Sequence, residues 1–130
     1  EEGEVQVALT TGKDPTRKDA LKEYFEITVT DSGIGIDKSK IERIFERFYQ
    51  IDNDVTQSNF GTGIGLHLSR SLVLLHHGII FAENRTDTSG SRFVIRIPLG
   101  AAHLHADELE SGESNIKMVS APLKSQISPV

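Results

Sequence analysis

Two short segments with glycine at alternate positions, Asp31-Ser-Gly33-Ile-Gly35-Ile36 and Gly61-Thr-Gly63-Ile-Gly65-Leu66, flank a Phe-bearing amphipathic stretch. Glycine lets the chain turn where a Cβ would forbid it and leaves main-chain N–H groups open to close approach by a ligand. The second segment runs into Ile64, Leu68, Leu72 and Leu75, spaced i, i+4, i+8 and i+11, the pattern of an amphipathic helix. Its amides are therefore predicted at a helix N-terminus, where orphan N–H groups and the helix dipole favour phosphate. Either segment alone fits an ordinary turn or loop. Together, and in this order, they point to a phosphate-bearing ligand held largely by backbone.

The remaining chain supplies a scaffold for such a site. Val5, Val7 and Leu9 alternate with Gln6 and Ala8, predicting a half-buried strand, and Thr11 to Lys22 reads as a solvated loop. Phe25, Ile27 and Val29 predict a second, antiparallel strand that delivers Asp31 at its C-terminal end. Asp37 can N-cap a short helix carrying Ile41, Ile44, Phe45 and Phe48, and both phenylalanines read mainly as core packing. Residues 50 to 60 are polar and aperiodic, which suits a lid or a plain surface loop. Gly78 is predicted at C′ of the following helix, with His76 and His77 complementing its dipole in preference to binding metal. Ile79 to Ala82 and Phe93 to Ile97 predict a strand hairpin. Beyond Pro98 the composition turns to that of a linker, with a short helix near Ala102 to Leu109.

Composition narrows the function classes. A chain of 130 residues with 37% hydrophobic content suits one small domain, and a net charge of −5 with no basic stripe argues against a nucleic-acid partner. The absence of Cys excludes disulfides and thiolate metal sites. His103 and His105 form only a loose pair without a carboxylate pattern, so no metal site is expected there. Leu72 to Ala82, the longest mainly apolar stretch, is interrupted by His76, His77 and Gly78, so no membrane span or direct membrane contact is expected. No signal peptide is read at the N-terminus. Gly12-Lys13-Asp14 lacks the frame of a P-loop, and Gly61 to Gly65 lacks the Rossmann spacing.

The run from Val29 to Leu99 resembles the C-terminal two thirds of a sensor histidine kinase ATP-binding domain, of the GHKL (Bergerat) superfamily shared with DNA gyrase and MutL. The two glycine segments match its glycine boxes, Ile44-Phe-Glu-Arg-Phe-Tyr49 its F box, Gln50 to Phe60 its lid, and Ser89-Gly-Ser-Arg-Phe93 with the strand to Pro98 its last element. The resemblance implies a two-layer α/β sandwich, a truncated Bergerat fold with a mixed, largely antiparallel sheet and helices on one face. It implies that Asp31 accepts a hydrogen bond from the adenine amine, that Gly33 and Gly35 line the base pocket, and that Gly61, Thr62, Gly63, Gly65 and Leu66 form the phosphate side. ATP is the implied ligand, with Mg²⁺ held through an N box.

That N box, the dimerisation helices and the phosphoacceptor His have no counterpart in these residues, so the expectation is a piece of a kinase: a partial ATP-binding domain at 1–100 and a linker or tail at 101–130. The chain would be the cytoplasmic, soluble part of a membrane-anchored bacterial sensor kinase, simple or hybrid, in a two-component pathway, working with a phosphoacceptor-His dimerisation domain and a response regulator receiver domain, and is expected to form a homodimer. Residues 50 to 60 hold no Lys or Arg, leaving Arg47 and Arg70 as the nearest cations. This chain alone is expected to be inactive and to bind ADP or ATP weakly. The alternative is a non-catalytic nucleotide-sensing or dimerisation module. Without the N-box helix, the inner faces of the Val5 and Phe25 strands are expected to lie bare.

Overall fold

The computed structural model describes residues 2–51 and 63–109. The predicted lid from Asp52 onward, Gly61, Thr62 and the tail from Glu110 lie outside them. Four strands, β1 (Val5–Lys13), β2 (Glu23–Asp31), β3 (Ile79–Asn84) and β4 (Ser91–Pro98), form one sheet in the order β1-β2-β4-β3. Every pairing is antiparallel, so the expected mixed sheet is not found among the described residues. β1 also runs four residues past Leu9, because Thr10 to Lys13 pair with Glu23 to Glu26 and the solvated loop starts only at Asp14.

The pairing Val7↔Val29, Leu9↔Ile27, Ile27↔Ile95 and Ala82↔Phe93 puts the alternating apolar residues on one face of the sheet. At the β3–β4 end this face is covered. Ile44, Phe45 and Ala82 form the buried cluster, with Ile36, Ile41, Leu66, Ile80 and Phe93 packed round it. Phe45 meets Phe93 edge to face, with centroids 6.3 Å apart. At the β1–β2 end the face is open: Val5, Val7 and Leu9 are 67%, 66% and 67% exposed. The opposite face is charged. Arg96 pairs with Glu26 and lies over the Tyr24 and Phe81 rings, Arg92 bridges Glu26 and Glu83, and Val94 between them is 1% exposed.

The single α-helix among the described residues, α1 (Gly65–Leu75), follows the second glycine segment as predicted. Its packed side differs from the predicted stripe. Leu66 and Val73 face the sheet layer, while Ile64, Leu68, Leu72 and Leu75 are all exposed. Its end also differs. His77 takes the left-handed conformation (φ 60°) and donates to Leu74 O, and Gly78 donates to Val73 O, a Schellman arrangement with His77 at C′ and Gly78 one residue on. Gly78 is needed there for a steric reason, since a Cβ would lie 2.4 Å from Arg96 O. His77 then reaches the turns of 101–109, where a helix was expected, through Glu108 at 3.6 Å and the His103 ring at 5.3 Å.

The predicted helix after Asp37 is reduced to turns and one 3₁₀ turn, Arg43–Phe45, although Asp37 Oδ1 does accept from Ser39 N as a cap would. The two phenylalanines of this stretch part company. Phe45 is 6% exposed, whereas Phe48 has φ 64° and is 63% exposed under the Arg47 guanidinium. Phe45→Ala should therefore cost about 3–5 kcal/mol through lost burial and a residual cavity, and Phe48→Ala no more than about 0.5 kcal/mol. Denaturant midpoints of the two variants check this split, and equal losses would contradict it.

Candidate nucleotide site

β2 ends at Asp31, and its carboxylate is fixed by three donors. Gly33 N donates to Oδ1 at 2.8 Å, Ser91 N to the same oxygen at 3.2 Å, and the Ser91 hydroxyl makes a short contact to Oδ2. A carboxylate has about four acceptor positions, so one on Oδ2 stays available to a donor from outside. The Ser91 hydroxyl, followed by the Gly33 and Ser91 amides and the positive charge of Arg85, holds the Asp31 pKa below its ordinary 3.8 against the opposing effect of burial. Asp31 is thus an ionised, pre-aimed acceptor at neutral pH.

The β3–β4 hairpin holds that arrangement from behind. Asn84 and Ser91 are cross-strand partners, and Arg85 N donates to Gly90 O at 2.9 Å to close the turn. Gly90 (φ +128°) lies so close to the Asp31 carbonyl that an added Cβ would overlap it at 2.0 Å. Arg85 donates to the same carbonyl at 3.3 Å while its guanidinium is held by Asp87. From the other side, Asn84 exchanges hydrogen bonds with both backbone groups of Ile36. Ser91, Asn84, Arg85 and Gly90 were given no role from sequence. The Gly-Ser pair at 90–91 was visible as part of a motif, but Asn84 and Arg85 carried no pattern of their own.

Gly33 and Gly35 stand with Asp31 as predicted, Gly35 in the left-handed region (φ +82°). Gly35 lines a cavity of about 390 Å³ with Ile34, Ile36, Asp37, Lys40 and Ile51, whereas Asp31 and Gly33 line a separate one of about 880 Å³ with Glu4, Val5, Ile34 and Ser89. Gly63 (φ +72°) is tied to the F-box stretch: Phe48 N donates to Gly63 O at 2.7 Å, and a Cβ on Gly63 would lie 2.8 Å from Phe48 C. Gly65 opens α1, whose cap residue Ile64 offers no side-chain acceptor, so the first amides of the helix have no side-chain cap. The Leu66 side chain belongs to the core, which leaves its amide alone for a ligand. Gly61 and Thr62 lie outside the described residues.

Among the described residues no three His, Cys, Asp or Glu side chains converge on a metal position, and no helix is long and apolar enough to cross a membrane.

The family described as "Histidine kinase-, DNA gyrase B-, and HSP90-like ATPase" matches residues 1–101. The chain is 42% identical over 78 residues to hybrid signal transduction histidine kinase D of Dictyostelium discoideum, which is 60% of this chain and 5% of that protein. It is 39% identical over 82 residues to the sensor protein kinase WalK of Staphylococcus saprophyticus, 63% of this chain and 13% of the relative. The solved mycobacterial sensor histidine kinase MprB superposes with a TM-score of 0.55 at 28% identity, covering 74% of this chain and 56% of that one.

Ser91→Ala should raise the Asp31 pKa toward 3.8, because it removes the largest cause of the depression. A carboxyl with a depressed folded pKa adds stability above its unfolded value and loses it as the pH falls through the folded one. In the wild type this contribution should therefore be complete above pH 3.8 and fade as the pH falls from there through the depressed folded value, whereas the variant, with its pKa near 3.8, should have little of it at any pH. Carboxyl-carbon NMR of Asp31 checks this, an unchanged titration being the contrary result.

Proposed function

Because the chain belongs to the histidine kinase-, DNA gyrase B- and HSP90-like ATPase family, as an ATP-binding domain of that kind, we propose that it is the nucleotide-binding part of a two-component sensor histidine kinase. The parent would transfer the γ-phosphoryl group of ATP to a histidine on its dimerisation domain, for onward transfer to a receiver domain. One observation carries the assignment of the site: the Asp31 carboxylate is held ionised by Ser91 and Gly33 with an acceptor position to spare. An exocyclic adenine amine is a donor of the right kind, and a charge-assisted bond to it is strong and selective. Gly33 and Gly35 would line the base, and the amides of Gly61, Thr62, Gly63, Gly65 and Leu66 would face the phosphates at the start of α1.

Among the described residues no three metal-ligating side chains converge, and Mg²⁺ beside a nucleotide takes only one or two protein ligands with phosphates and water. We place the metal with residues outside them, and expect no autophosphorylation by this chain alone. Residues 1–100 would be the domain and 101–130 the segment leading away from it, a boundary supported by the family match over 1–101. A cytoplasmic location fits the nucleotide and the relatives. Calorimetry with ADP tests the site: binding should be weak, and Asp31→Asn should abolish it. Binding that survives this substitution overturns the assignment.

The second reading, a nucleotide-sensing or dimerising module, is favoured by the open apolar face. Val5, Val7, Leu9, Leu68, Leu72 and Leu75 are each more than half exposed. Each such side chain gains about 1.5–3 kcal/mol on burial, which favours covering them with a second copy. Sedimentation equilibrium should reveal a concentration-dependent dimer; a strict monomer that binds no apolar dye is the contrary result.

A further inference from the structure

We propose that Asn84 is a positioning residue of the first glycine segment: its side-chain amide clamps both backbone groups of Ile36 and so sets the wall of the base pocket. This rests on the nucleotide reading of the site. Asn84 is the last residue of the edge strand β3, and its side chain reaches 48 positions back along the chain. Oδ1 accepts from Ile36 N at 2.7 Å, and Nδ2 donates to Ile36 O at 2.6 Å. These are the bonds a further strand would have given Ile36, supplied instead by one side chain at the point where the sheet ends.

The chemistry demanded is narrow. Reversing the amide would set N–H against N–H and oxygen against oxygen, so the orientation is fixed by its partners. Aspartate lacks the donor, alanine lacks both groups, and a longer glutamine cannot occupy the same span. The clamp also dictates its neighbour: a Cβ on Gly35 would lie 2.8 Å from Asn84 Oδ1. The cross-strand partner, Ser91, holds Asp31 in the same way. One register position of the β3–β4 hairpin thus grips both ends of the glycine segment, Asp31 through Ser91 and Ile36 through Asn84.

The charged groups bordering this clamp are Arg85, the residue after β3, already engaged by Asp87, Asp31 at the start of the glycine segment and Asp37 just past its end. Both aspartates are held below the ordinary carboxylate value of 3.8, so neither changes charge as the pH drops from neutrality to about 5.

The test uses the 130-residue chain, reading amide-exchange protection and ADP affinity at about pH 7.5. Asn84→Ala removes both bonds, so Ile36 protection should fall and ADP should bind about tenfold more weakly. Asn84→Asp keeps an acceptor for Ile36 N but sets a carboxylate against Ile36 O, so ADP binding should weaken likewise. In both variants the β1 and β2 amides, away from the clamp, should stay as protected as in wild type, which separates the clamp from a general loss of stability. ADP affinity like that of wild type in both variants, or a loss of protection spread evenly over the sheet, overturns the proposal. If wild type binds no ADP while Ile36 is protected, the nucleotide reading fails and the clamp stands; an unprotected Ile36 in wild type defeats the clamp itself.

Discussion

The contact on which the site depends is that between the end of β2 and the turn before β4, where Gly90 packs directly on the Asp31 carbonyl and Ser91 closes on its carboxylate. Neither half works alone. A side chain at 90 would push the strands apart, and without Ser91 the carboxylate would lose its principal stabilising donor. Because Thr30 pairs with Arg92 one step further along, the close approach is continuous with the β2–β4 ladder. The stability of the sheet is in this way spent on holding one carboxylate in one orientation, the preorganisation that a polar recognition site needs.

Much of this fold was legible in the sequence. Period-two alternation located β1 and β2, the apolar segments at 79–82 and 93–97 located β3 and β4, and the helical spacing after the second glycine segment located α1, because such signals depend on local geometry alone. Which side of an element is covered depends on its neighbours. Ile64, Leu68, Leu72 and Leu75 form a genuine stripe, yet the packed residues are Leu66 and Val73, since the sheet lies on that side of α1. Phe45 and Phe48 are indistinguishable by spacing, and only the left-handed backbone at Phe48, next to Gly63, turns the second ring outward. In the site, Asp31 and the glycines announced themselves through their pattern. Ser91 and Asn84 did not, because their partners lie 60 and 48 residues away.

The two faces of the sheet show opposite solutions to burial. On the charged face Arg92 and Arg96 cover Val94 with their stems while Glu26 and Glu83 satisfy their guanidinium groups. The most deeply buried aliphatic side chain of the described residues therefore sits under arginines rather than under a helix. Among the described residues the apolar face has no such cover at the β1–β2 end, which is why a sheet with regular pairing throughout has so small a buried cluster.

Glycine by itself says less about the ligand than its pattern suggested. Gly90 is required by the Asp31 carbonyl, Gly35 by Asn84 and its positive φ, and Gly63 by the Phe48 backbone, so the protein's own packing already accounts for all three. Gly65 is different. An added Cβ there would meet nothing within 4 Å, its φ is not in the left-handed region, and at the start of α1 an alanine would be the better helix former. No contact within the described residues explains a glycine at that position. On the nucleotide reading proposed above, a Cβ there would stand between the first amides of α1 and the phosphates they face.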